Sequence, residues 1–184
     1  MPSRYLEMLV PPRCPVCGEL GRGGEPLCAR CLSALAEPRG VELAADGLDS
    51  LLAAFPLRGR AHRMVSAIKH RGMIALVDLA AGAIDDAIEI PLVDLTVVSV
   101  PPARLRLASR GFDPAGLLAA ELADRTGLPR RSPLVRRDLS RQRGRGRGER
   151  LRSPPRIVAR AGAPERVLLV DDVVTTGATM SAAA

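Results

Sequence analysis

Three features of the sequence predict an α/β fold with a parallel sheet and a small metal-binding head. The runs LTVVSV at 95–100 and VLLV at 167–170 are continuously apolar. That is the pattern of strands covered on both faces. Helical patterns of about 10 to 15 residues stand between the apolar runs, as parallel crossovers require. All four cysteines fall within 14–31, in a Gly-rich stretch too poor in apolar residues to own a core. With 184 residues, the chain accommodates one well-buried domain, 41–184, and a small module, 1–40.

Composition narrows the class. Hydrophobic residues make up 47% and the mean hydropathy is +0.09, which argues for a globular protein. The net charge is +7; of the 27 basic residues Lys69 is the sole Lys. This Arg skew reads as a coding bias, so it says little about nucleic acid, although a basic balance suits an anionic ligand. Tyr5, Phe55 and Phe112 are the only aromatics, which removes the stacking platforms of single-strand binders. No apolar stretch approaches the roughly 20 residues of a membrane span, and the N-terminus lacks a signal-peptide core of about 7 to 15 apolar residues. The expectation is a cytoplasmic protein without membrane insertion, whose cysteines are metal ligands rather than disulfides.

Taken in order, Cys14-Pro-Val-Cys17 and Cys28-Ala-Arg-Cys31, ten residues apart, have the paired spacing of a tetrahedral four-cysteine zinc site. Four thiolates leave no position for water, so the Zn2+ is expected to be structural. A CxxC redox pair is the alternative. Residues 32–49 carry mixed helical and turn signals and read as a link. The run SLLAAFPL at 50–57 is a strand candidate. Met64, Ala67 and Ile68 mark a helix over 61–70, which Gly72 stops. A second helix follows over 74–84. The strand at 95–100 ends at Pro101 and Pro102. Residues 114–126 form an amphipathic helix, with Asp113 as cap, Pro114 in the first turn and Gly127 at the end. A short strand is expected at 133–136. Then 138–155, containing RQRGRGRGERLRSPP, reads as a mobile basic loop. The strand at 167–170 leads into a helix with only residues 180–184 after the motif, against an average of about 11 to 12 residues. The sequence therefore predicts a C-terminally truncated chain, lacking its last helix and a final strand.

The segment 167–179, VLLVDDVVTTGAT, carries the chemistry. Ligands of parallel sheets bind beyond the carboxyl ends of strands, which places Asp171 and Asp172 at the lip of a site. After Val173 and Val174, the turn Thr175, Thr176, Gly177, Ala178 and Thr179 offers successive N–H groups, hydroxyls and a helix start to a phosphate. Adjacent carboxylates repel phosphate, so their partner is a pair of vicinal hydroxyls, as on ribose, or Mg2+. The plainer reading is a strand end that caps an ordinary helix, but capping explains neither the doubled Asp nor the TTGAT order.

This segment resembles the phosphoribosyl pyrophosphate motif of type I phosphoribosyltransferases. The blocks CPVC with LCARC, AIKHRG, VPPARLRLASRGFDPAGLLA and LSRQRGRGRGERLRS are similar to the ComF family, the competence-associated branch of that superfamily. The resemblance spans nearly the whole chain. It implies that Asp171 and Asp172 hold the ribose hydroxyls and that 175–179 wraps the 5-phosphate. It also implies that 100–104, with Pro101 and Arg104, is the pyrophosphate loop, and that 141–152 is a flap. Asp171, Asp172 and Arg104 would be catalytic, Arg110 would assist with the anion, and Mg2+ would accompany phosphoribosyl pyrophosphate. Asp113 and Pro114 replace the usual Asn-Gln, Ala103 a frequent His, and Ser153 stands near an expected Asn; all bear on the second substrate.

Expelling pyrophosphate requires neutralisation of its charge, a task for Arg104, Arg106, Arg110 and the Arg residues of the basic loop. For any one of them, a solvated surface charge is the simpler role. Lys69 and His70 read as helix-end cations that can reach an anion. Two functions are therefore expected. One is a phosphoribosyltransferase with an unknown acceptor. The other is a non-catalytic competence or DNA-uptake factor that uses the pocket as a sensor and contacts DNA or competence-machinery proteins.

Overall fold

The computed structural model of the chain describes residues 13–21, 25–38, 40–137 and 155–184. It is a mixed α/β structure with a parallel sheet and an N-terminal four-cysteine zinc-binding knuckle. After the knuckle come helix α1 (Ala29–Leu35), strands β1 (Val41–Leu43) and β2 (Leu51–Ala53), and helices α2 (Gly59–Arg71) and α3 (Leu76–Ala87). Next are β3 (Thr96–Ser99), α4 (Arg104–Arg110), α5 (Pro114–Thr126), β4 (Arg130–Arg131) and β5 (Leu134–Arg136). The described chain closes with β6 (Ile157–Ala159), β7 (Val167–Val170) and α6 (Ala178–Ser181).

The parallel sheet has the order β4-β3-β7, with Val97 beside Leu168 and Ser99 beside Val170. Its two faces are covered by different layers, which is why LTVVSV and VLLV are continuously apolar. Val97, Leu168 and Val170 face the main core. There they meet Met64 and Ile68 of α2, Leu76 and Val77 of α3, and Leu118 and Leu122 of α5. Val100 and Leu169 face a smaller cluster with Leu51 of β2, Met180 of α6 and Ile157 of β6. Leu76, Leu122 and Val97 are wholly buried. Each such side chain contributes about 1.5 to 3 kcal/mol by burial.

The knuckle joins this core. Val16, Leu27, Cys31 and Leu35 belong to the same buried cluster as α2, and Arg71 at the end of α2 donates to the Pro15 carbonyl inside the first CxxC.

The two left-handed caps expected from sequence are present, Gly72 at φ 63° and Gly127 at φ 70°. The helix expected over 61–70 is longer by a turn's worth of polar residues, and the one over 74–84 is shifted to Leu76–Ala87. The link at 32–49 holds β1, which pairs antiparallel with β2, and the strand at 50–57 is only Leu51–Ala53 because Phe55 and Pro56 turn away. Strand β5 pairs antiparallel with β6, so the basic stretch between them joins two strands of one ribbon. The expected loop and flap at 138–154 lie outside the described residues. Asp113 stands at the cap of α5 without a side-chain capping hydrogen bond, which corrects that expectation. Among the described residues no helix is long and apolar enough to cross a membrane.

Candidate functional site

The four cysteine sulfurs lie within 4.8 Å of one another. Tetrahedral thiolates with Zn–S bonds of about 2.3 Å stand about 3.8 Å apart, so the cluster has the dimensions of a zinc site. Local backbone geometry builds it. The Gly18 N–H donates to the Cys14 carbonyl, and Cys14 in turn donates to Glu19, closing a knuckle that Gly18 permits at φ 79°. Cys28 is the N-cap of α1, and the N–H groups of Cys31 and Leu32 point to its carbonyl. The thiols resist ionising together. Burial and the neighbouring thiols push Cys31 up to about 12. Burial also opposes ionisation of Cys14, yet backbone N–H groups of Cys28, Cys17 and Val16 bring it down to about 6. A dication reconciles four thiolates in one place. That is the role of a structural metal, and the cysteines have no open coordination position to offer a substrate.

The second site lies where β3 and β7 end side by side. The Val100 N–H donates to the Val170 carbonyl at 2.9 Å, so the loop from Pro101 to Arg104 and the segment beginning at Asp171 leave the same edge of the sheet. The sequence-derived pair Asp171 and Asp172 is half-buried there, and Asp171 Oδ1 accepts the Asp172 N–H at 2.8 Å. Burial and the adjoining Asp172 carboxylate push Asp171 up to about 7, against the opposing pull of the Asp172 N–H and Lys69.

Beyond the pair, Val173 and Val174 pass into the turn. Thr175 and Thr176 are exposed, Gly177 is buried at φ 74°, and Ala178 and Thr179 begin α6. Asp171 and the stretch from Val173 to Met180 line a small pocket. The hydroxyl of Thr176 accepts the Ala178 N–H at 3.4 Å. A β-carbon on Gly177 would stand 3.0 Å from Ala45 Cβ, so the β1–β2 connection supports the turn from below.

Two residues outside the contiguous motif join this site: Lys69, expected from sequence as a helix-end cation that can reach an anion, and Asp113, expected as a helix cap and a departure bearing on the second substrate. Lys69 Nζ, on the last turn of α2, lies 2.9 Å from Asp172 Oδ1, and both side chains are mostly buried. Its sequence signal was its place in the AIKHRG block at a helix end. Asp113 is the other. Burial raises its carboxyl, the N–H groups of Gly116 and Ala115 oppose the shift without forming regular hydrogen bonds, and the Asp172 carboxylate adds to it. Its Oδ1 is buried without a partner among the described residues, and its Oδ2 stands only 2.6 Å from where a β-carbon on Gly116 would be, so a side chain at 116 would push the Asp113 carboxylate aside.

The basic residues divide. Arg104 and Arg106 are exposed on α4, a helix with no buried residue, and among the described residues no ion pair joins them to the carboxylates. Arg110 is half-buried and acts electrostatically on Asp113. His70 and Arg71 follow Lys69 in the last turn of α2. Ala103 is the N-cap of α4; Ser153 and the Arg residues of 141–152 lie outside the described residues.

Residues 5–41 match the family model of a double zinc ribbon domain, which takes in all four cysteines. The match is to the head alone. No curated protein and no solved structure matches the chain.

Proposed function

We propose that the end of β7 binds the ribose 5-phosphate group of phosphoribosyl pyrophosphate, and that the chain is a ComF-type, type I phosphoribosyltransferase-like protein that transfers this group to an acceptor. The observation that carries the reading is one continuous turn that sets a half-buried carboxylate pair beside a pocket of backbone and threonine groups. Carboxylates accept hydrogen bonds from vicinal ribose hydroxyls, and the N–H groups and hydroxyls of the Thr175–Thr179 stretch suit the 5-phosphate. The chemistry is displacement at ribose C1. The acceptor's lone pair forms the new bond, the C1–oxygen bond to pyrophosphate breaks, and the acceptor's proton passes to a base. The hard oxygen donors of Asp171 and Asp172 fit Mg2+, which when bound with the ligand would neutralise pyrophosphate charge. Arg104 and the loop from Pro101, which leaves the sheet beside the carboxylates, are assigned to the pyrophosphate leaving group.

The test is calorimetric titration of the zinc-loaded protein with phosphoribosyl pyrophosphate and Mg2+, repeated with Asp171→Asn and Asp172→Asn. Each carboxylate–hydroxyl bond contributes about 1.5 to 3 kcal/mol, so each variant is expected to bind about ten- to hundredfold more weakly. Absent binding, or binding unchanged in both variants, rejects the assignment. Pyrophosphate release across a panel of nucleobases and amines then separates a transferase from a ligand sensor.

A further inference from the structure

We propose that Lys69 is the resident cation of the carboxylate pair, holding the place at Asp172 that a divalent metal would otherwise take, so that the ligand-free site excludes free Mg2+ and metal enters only with its ligand. The inference deepens the ribose-phosphate reading of the same site and rests on it for the identity of the ligand.

Three observations carry it. The ammonium is in direct contact with Asp172 Oδ1 at 2.9 Å, with the two side chains only 17% and 16% exposed. A buried ion pair is costly to break on one side, because the remaining charge is left without a partner. The pair is also rigidly supplied. Ala67 and Ile68, the residues before Lys69, are packed in the main core, while two residues later Arg71 is anchored to the Pro15 carbonyl. Lys69 therefore reaches Asp172 from a helix end fixed on both sides. Finally, Lys69 serves two adjoining carboxylates: Asp171 Oδ1 accepts the Asp172 N–H at 2.8 Å, and the ammonium acts on Asp171 as well as on Asp172. Without Lys69 this adjacent pair offers hard oxygen donors of the kind divalent cations favour. With it, one acceptor oxygen and one unit of charge are already satisfied.

Lys is suited to this role where Arg is not. Its ammonium is a compact point charge that can let go of one carboxylate oxygen and turn to a ligand, whereas a guanidinium binds in a wider planar fork. Ribose hydroxyls arriving at Asp172 would displace the ammonium toward the anionic ligand, and no net charge is left uncompensated.

The experiment is Mn2+ binding to the ligand-free, zinc-loaded chain, read by electron paramagnetic resonance, in wild type, Lys69→Met, Lys69→Arg and Lys69→Met/Asp172→Asn. Lys69→Met is expected to bind Mn2+ at least about tenfold more tightly than wild type, a difference of about 1.4 kcal/mol. Lys69→Arg, which keeps the charge, should stay close to wild type, and the double variant should lose the gain. Wild type binding Mn2+ through a site abolished by Asp172→Asn overturns the proposal, as does a folded Lys69→Met that gains nothing. Should Lys69→Met fail to fold, Lys69→Gln, neutral but of similar length, takes its place with the same expected gain and the same overturning result. No sugar phosphate takes part, so the outcome is independent of whether phosphoribosyl pyrophosphate binds.

Discussion

Arg71 donates a hydrogen bond to the carbonyl of Pro15, 56 residues earlier in the chain, and so ties the end of α2 to the first zinc knuckle. Two residues before it, Lys69 reaches Asp172. A single helical turn thus touches both the metal centre and the carboxylate pair. Zinc removal is expected to be felt at both. Chelation should expose Val16, Leu27 and Leu35, which are buried against α2, and lower the thermal midpoint by at least about 4 °C, the shift that roughly 1 to 2 kcal/mol produces in a chain of this size. Differential scanning calorimetry before and after zinc restoration measures it. An unchanged midpoint in fully zinc-depleted protein contradicts the coupling.

The turn proposed to hold the 5-phosphate depends on Gly177. Its φ of 74° is costly for an L side chain, and an added β-carbon would press on Ala45 Cβ at 3.0 Å. Gly177→Ala is expected to destabilise by about 1 to 2 kcal/mol through the left-handed backbone alone. On the proposed function, affinity for ribose 5-phosphate should fall more than stability does, because relief of the contact moves the N–H groups assigned to the anion. Urea denaturation and titration on the same variant separate the two losses.

What the sequence revealed, and what it hid, follows from where the signal resides. Strand β7 was legible to the residue because Leu168 and Leu169 need cover on opposite faces and Arg166 and Asp171 bound the apolar run, and α5 because Pro114 and Gly127 punctuate it. The cysteine cluster was legible because metal ligation fixes spacing. Strand β4 was not: Arg130 and Arg131 are both exposed and join β3 through backbone hydrogen bonds, leaving no hydrophobic pattern to read. The β1–β2 hairpin was hidden for a similar reason, since Glu42, Leu43 and Leu52 are exposed and only Leu51 is firmly buried. At the site, Asp171, Asp172 and the Thr-Gly turn are contiguous and therefore visible. Lys69 and Asp113 arrive from α2 and the start of α5, a tertiary juxtaposition that local spacing does not encode.

The main core makes its own prediction. Leu122 on α5 is completely buried among α3 and the sheet, and its truncation leaves a cavity that close-packed neighbours cannot fill. Leu122→Ala is expected to cost about 2 to 5 kcal/mol. Leu105, on α4 and 69% exposed, serves as the control: Leu105→Ala should stay within about 0.5 kcal/mol of wild type. Comparable losses in both variants would place the core elsewhere.

Asp171 gives the site a pH dependence whose sign is fixed. Burial, then the Asp172 carboxylate, push its folded value up to about 7 from an ordinary 3.8. A raised folded value means the folded protein holds its proton more tightly than the unfolded chain. The associated stability is fully present below about pH 4 and is lost as pH rises through 7, with an amplitude of order a few kcal/mol. Ligand binding runs the other way, because only the carboxylate accepts a ribose hydroxyl. Affinity for ribose 5-phosphate should therefore rise between pH 6 and 8. Phosphate's own second ionisation, near about pH 6, contributes to the lower part of that rise. Asp171→Asn isolates the rest. Its binding should be weaker and follow phosphate ionisation alone, and its stability should decline less between pH 4 and 7. If wild type and Asp171→Asn share one pH profile for binding, Asp171 does not touch the sugar, and the hydroxyl contacts must be reassigned to Asp172.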